Sequence, residues 1–248
     1  MGWSIAFRRY PAKEYSLDSA KAWTRNRAGL EQDFCGAFYH FPATMSPMYR
    51  WRKFTESERE EALAQRRQLG HPCHSLHHVD SGDQSYHLTA ACYEHLPHMG
   101  LSLARMNRFA ADWLEVLQAH SDRVHAWVLL PNHYHALVRT GRVLTLLKTL
   151  GKLHGRTSHA WNGEENTRGR QVWCNAAETV MKSEGHFFAT INYIHNNPVK
   201  HRYTEKWTEW PWSSATAWLE ASGREAAEAQ WRNYPIKEYG QEWDDPEM

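Results

Sequence analysis

At 248 residues with a formal net charge of +1, the chain has room for one large domain, or for one domain with an appendage, and either can bury a core. Its four cysteines, Cys35, Cys73, Cys92 and Cys174, stand apart without a Cys-x-x-Cys pair, which excludes a zinc ribbon and a dense disulfide scaffold and fits a reducing cytosol. The N-terminus shows no apolar leader and no window reaches bilayer-spanning length, so the reading is of a soluble, unexported cytoplasmic protein.

Residues 1–80 read as an N-terminal extension. Scattered arginines and aromatic residues lead to Thr55-Glu56-Ser57-Glu58, which has capping-box spacing and opens a charged helix ending near Gly70. The histidines that follow, His74, His77 and His78, lack a carboxylate or thiol framework and read as linker, with no role assigned. At Tyr86 the pattern changes. A first strand is expected over 86–93, then a helix over 101–119 with Leu103, Met106, Ala110, Trp113 and Leu117 at helical spacing. A second strand, 124–130, meets the turn-like Pro131-Asn132, and 133–138 alternates as a third. Residues 143–161 read as an amphipathic helix with Leu146, Leu147, Leu150 and Leu153 inward. A polar loop over 162–170, a short strand around Gln171-Val172-Trp173 and a helix over 183–196 complete the pattern. Strand, helix, hairpin, helix implies an α+β fold with an antiparallel sheet flanked by helices over 81–220. Residues 221–248 read as an acidic C-terminal tail, and the tryptophans Trp207, Trp210, Trp212, Trp218 and Trp231 read as packing.

The near-zero net charge hides segregation. Between Arg139 and Arg170 seven basic residues face two acids, whereas between Glu220 and Met248 three face eight. The basic run is either a solvated helix face or a surface for phosphates.

His133 and His135, two apart in an expected strand, face the same way and can converge on one ion, while Tyr134 points into the opposite layer. A lone His-x-His pair among seventeen histidines also arises by chance and serves structure alone. On the later helix Phe187, Ile191 and Ile194 form the stripe that packs on the sheet. Tyr193 and Asn197 fall four apart on a neighbouring face and can reach a common point. Pro198 is expected to end that helix at Asn197, freeing its amide oxygen. Taken alone, these two residues also fit a buried tyrosine and a helix stop.

The run Pro131-Asn132-His133-Tyr134-His135-Ala136-Leu137-Val138, followed by Tyr193-Ile194-His195-Asn196-Asn197-Pro198-Val199, resembles the REP-associated tyrosine transposases, single-tyrosine members of the HUH nuclease superfamily with IS200-like chemistry. The resemblance spans about residues 86–219. It implies an RRM-like or ferredoxin-like sheet, with His133, His135 and Asn197 as ligands of a divalent ion, Mg²⁺ or Mn²⁺, and Tyr193 as nucleophile. It further implies cutting and rejoining of single-stranded DNA at palindromic hairpins through a 5′-phosphotyrosine, in a bacterial, nucleoid-associated protein; the long N-terminal extension and acidic tail depart from the shortest members, so monomer and homodimer both stay open. Lys152, Arg156, Arg170 and Lys200 are candidate phosphate contacts, and Trp161 and Trp173 either stack on bases or pack the core. No general base stands out; His195 and Glu178 are candidates by position only. The alternatives are a catalytically silent hairpin-binding regulator, a metal-dependent phosphodiesterase using the histidines alone, and a structural zinc protein.

Overall fold

The computed structural model describes residues 81–236, together with residues 55–58, 60, 61 and 64. The capping box at Thr55 is formed: the Glu58 amide donates to Thr55 Oγ1 at 3.3 Å, and Glu58 Oε2 accepts from the Thr55 amide at 2.6 Å. The histidines at 74, 77 and 78 lie outside the described residues, as do Cys35 and Cys73.

Four strands form one antiparallel sheet in the order β2-β3-β1-β4: β1 (Gln84–Ala91), β2 (Arg123–Leu129), β3 (His133–Thr140) and β4 (Ala177–Val180). Helix α1 (Leu103–His120) joins β1 to β2, and α2 (Val143–Glu164) joins β3 to β4. This βαββαβ order is the ferredoxin-like arrangement. A third helix, α3 (Glu184–Lys200), follows β4, and two shorter ones, α4 (Ala215–Ser222) and α5 (Arg224–Asn233), close the described chain.

The strand alternation separates two layers. On one face Leu88, Tyr134 and Ala136 meet α1 and α2; Tyr134, fully buried, packs its ring 4.7 Å from Trp113 and 6.3 Å from Phe109. The leucines expected inward on α2, Leu146, Leu147, Leu150 and Leu153, are buried there. Arg105 ties the two helices together, donating to Glu164 at 2.6 Å, Glu165 at 2.7 Å and the His98 carbonyl at 3.0 Å. Arg170, with Arg105 beside it, holds the Glu165 carboxyl down at about 2. On the other face α3 packs against β2 and β3, and the stripe Phe187, Ile191 and Ile194 is buried as its spacing implies.

Three expectations are corrected. The fourth strand is not Gln171-Val172-Trp173. That segment makes an isolated bridge to Cys92 and sinks Trp173 into the core, and the ladder resumes at Ala177–Val180, a half-exposed edge whose Ala-Glu-Thr-Val sequence carries little apolar alternation. Pro198 does not end α3. The ring removes one hydrogen bond, yet the His201 amide still donates to the Asn197 carbonyl at 3.0 Å, and the helix closes later on Arg202 at φ 59°. There the Tyr203 amide reaches the Pro198 carbonyl at 2.8 Å and the Arg202 amide that of Val199 at 3.0 Å, a Schellman closure. Finally, the segment assigned to an acidic tail from residue 221 onward holds α5, which buries Ala227 and Gln230. Gln230 Nε2 donates to Asn192 Oδ1 of α3 at 2.8 Å, so this part is packed structure.

Candidate active site

The face of the sheet under α3 carries an imidazole-rich pocket. β3 supplies His133 and His135, each about 1% exposed, because residues two apart on a strand share a face. β1 pairs beside β3 with Ala91 opposite His133 and Thr89 opposite His135, which puts His87 diagonally next to His135. From above, α3 lowers Tyr193 and Asn197, one turn apart and essentially buried, onto the two imidazoles.

The contacts are specific. The Tyr193 hydroxyl lies 3.4 Å from His135 Nε2, and Asn197 Oδ1 lies 3.1 Å from His133 Nε2. His135 Nδ1 meets His87 Nε2 at 3.2 Å, and His133 Nδ1 meets Asn132 Oδ1 at 2.8 Å. The rings of His133 and His135 are perpendicular, 5.2 Å apart, and the His201 ring lies 4.9 Å from that of His133. Lys200 Nζ sits 5.2 Å from the Tyr193 ring centroid. Two imidazole nitrogens and an amide oxygen are a donor set for a first-row divalent ion. His133 Nε2 and Asn197 Oδ1 face each other as two acceptors if the His133 proton sits on Nδ1, an arrangement a cation would satisfy. Among the described residues no group of three His, Cys, Asp or Glu side chains is placed to hold a metal ion.

Other candidates fall elsewhere. Lys152 and Arg156 are exposed on α2, on the opposite side of the sheet from Tyr193. Arg170 is engaged by Glu165 at 2.8 Å and by Asn162 Oδ1 at 3.0 Å; Arg139 of the same basic run is paired with Asp83 at 2.9 Å. Trp173 is stacked against His154 at 4.2 Å and Phe109 at 5.1 Å, and Trp161 is buried, so both tryptophans pack the core. His195 turns away from Tyr193: its Nε2 lies 2.9 Å from Ser214 Oγ and its ring stacks on Trp207. Burial pushes the His195 pKa down to about 3. Glu178 is registered with Leu88, on the face away from the pocket. Neither serves as a base for the phenol. Sequence alone assigns His87 no role and marks Asn132 only as part of a turn; strand alternation sets His87 facing one layer, but its neighbour on β3 depends on register.

No family model and no curated protein matches the chain. Among solved structures it is similar to a REP-associated tyrosine transposase bound to a REP hairpin, at 17% identity and a TM-score of 0.46, over 58% of this chain and 83% of that chain. No helix among the described residues is long and apolar enough to cross a membrane.

Proposed function

We propose that the chain cuts and rejoins single-stranded DNA, with Tyr193 as the nucleophile, at palindromic hairpins of the kind the sequence resemblance implies. The observation that carries this reading is the meeting of the Tyr193 hydroxyl with His135 Nε2 at 3.4 Å while Asn197, one turn on, meets His133 at 3.1 Å. A phenol beside paired imidazoles is a nucleophile placed at a metal-competent site.

His133, His135 and Asn197 are the residues that would hold a divalent ion, and their imidazole content favours Mn²⁺ over Mg²⁺. Bound there, such an ion supplies charge stabilisation at a nonbridging phosphate oxygen. The protein's own part is nucleophilic. The Tyr193 oxygen attacks the phosphorus, a phenol–phosphate bond forms, the bond to the 3′ oxygen breaks, and that oxygen leaves as a 3′-hydroxyl. Because the ester retains the energy of the broken bond, a second 3′-hydroxyl attacks it to rejoin ends without ATP. Lys200, over the Tyr193 ring, is a phosphate contact beside the nucleophile. Lys152, Arg156 and Arg170 are contacts for more distant phosphates.

One observation favours the rival reading of a hairpin binder without turnover: Tyr193, His133, His135 and Asn197 are each at most 1% exposed. A single experiment separates the readings. The full chain is incubated with hairpin DNA and Mn²⁺ and resolved on a denaturing gel. Wild type is expected to give a protein–DNA adduct, and Tyr193→Phe to give none while still shifting the hairpin on a native gel. Cleavage that survives in Tyr193→Phe would instead identify a phosphodiesterase working through the histidines, and absence of adduct with intact binding would identify a silent binder.

A further inference from the structure

Helix α3 is held from two sides. Toward the sheet, Phe187, Ile191 and Ile194 make an apolar stripe, and Tyr193 and Asn197 reach the imidazoles. Toward α5, Glu184, Phe188 and Asn192 recur every fourth residue and form one ridge along α3. Gln230 near the end of α5 and Tyr234 just beyond it, again four apart, grip that ridge at all three points. The Tyr234 hydroxyl donates to Glu184 Oε1 at 2.7 Å, and its ring stacks on Phe188 with centroids 4.9 Å apart. Its carbonyl accepts from Asn192 Nδ2 at 2.8 Å, while Gln230 Nε2 donates to Asn192 Oδ1 at 2.8 Å. Asn192 is fully buried and Gln230 is 5% exposed, so this amide pair is bonded away from water.

The two sides hold the helix in different ways. Apolar packing is non-directional and tolerates a helix that rolls. A hydrogen bond does not, because it weakens steeply as its angle closes. Successive residues of a helix stand about 100° apart, so the rotation that aims the Asn192 amide also aims Tyr193. At a side-chain radius of about 6 Å, a roll of about 10° moves a side-chain tip by about 1 Å. The Tyr193 oxygen lies 3.4 Å from His135 Nε2, at the edge of hydrogen-bond reach, where a shift of that size decides whether the two groups meet. We propose that Asn192 and Gln230 are positioning residues: their paired amides lock the rotation of α3 from its outer side and so fix where the Tyr193 oxygen stands over His135. α5 thereby acts on the site through α3. A displacement of about 1 Å at a reacting group costs up to about 100-fold in rate.

The effect on adduct formation rests on the function proposed above; the placement of the phenol does not. Two variants of the full chain test it. Gln230→Met keeps the side-chain length and removes the donor to Asn192. Asn192→Leu/Gln230→Met replaces both amides by apolar groups of similar shape, an exchange that costs little stability but leaves no directional contact at that point. Folding is followed by circular dichroism, hairpin affinity by titration, and the phenol by the ring signals of ¹³C-labelled tyrosine, with Tyr193 assigned by its loss in Tyr193→Phe. Wild-type Tyr193 carries shifts from the His135 and His87 rings, whose centroids lie 5.2 and 6.1 Å away. In both variants these signals are expected to move, while those of Tyr134, on the other face of the sheet, stay in place. The adduct rate at saturating hairpin is expected to fall about 10- to 100-fold with hairpin affinity unchanged. A role in stability alone would return the double variant to the wild-type rate and the wild-type Tyr193 signals, and that result would overturn the inference. If Gln230→Met does not fold, the double variant decides. If the wild type forms no adduct, the function fails, and the Tyr193 signals decide this inference by themselves.

Discussion

Lys200 ends α3 with its ammonium 5.2 Å from the Tyr193 ring, exposed on its outer side and close to where a bound phosphate would meet the phenol. Removing one phosphate-neutralising cation lowers the slope of log affinity against log salt by about one unit or slightly less. Lys200→Ala is therefore expected to weaken hairpin binding and flatten its salt dependence by about that amount. Titrations at several salt concentrations give the slope, and an unchanged slope would remove Lys200 from the phosphate contacts. Residues of this site differ in how far they could be read in advance. His133, His135, Tyr193 and Asn197 were legible because intervals of two on a strand and four on a helix set a shared face before any coordinate is known. His87 was not, because its value lies in a diagonal contact across two strands that are far apart in sequence.

At the scale of elements, the turn between β2 and β3 positions the pocket, and a glycine lets it seat. Gly100 lies in a 3₁₀ turn against that hairpin, its amide donating to the Pro131 carbonyl at 3.0 Å. A Cβ there would stand 2.3 Å from Pro131 Cβ and 3.0 Å from Pro131 Cα. Gly100→Ala is expected to destabilise the fold by about 1–3 kcal/mol through overpacking. Urea denaturation measures this, and an unchanged midpoint would mean that the turn shifts freely. Periodicity located α1, β2, β3 and α2 to within a few residues, since each buries a continuous stripe. It failed at β4, where Ala177–Val180 is a short, half-exposed edge, and where the more hydrophobic Val172 and Trp173 serve the core instead. It also stopped α3 too early, because a proline in the last turn removes a bond that the Schellman closure replaces.

For the whole molecule, several imidazoles are buried in their neutral form. Burial brings His125 down from 6.5 to about 3, His154 to about 4 and His195 to about 3. A depressed folded pKa means that the unfolded chain takes up protons first, so the associated stability is complete above pH 6.5 and drains as pH falls toward 4 and then 3. At pH 5 the loss is about 2 kcal/mol per imidazole. Thermal melts at pH 7.5 and pH 5 are expected to show a clear fall in Tm at the lower pH, and equal midpoints would show that these rings are charged or wet in the fold. The ferredoxin-like order was legible as a succession of elements, but the packing of α5 onto α3 was not: its acids dominate the local composition, while Ala227 and Gln230 face inward.

Strand β3 serves two masters at once. His133 and His135 face α3, and Tyr134 between them anchors the hydrophobic layer against Trp113. Losing or gaining one residue in the preceding turn would transpose the two sets, sending both imidazoles into the oil and the phenol of Tyr134 beneath α3. Substitution along β3 leaves that phase intact, whereas a change of register does not, so the length of the chain before it matters as much as its side chains.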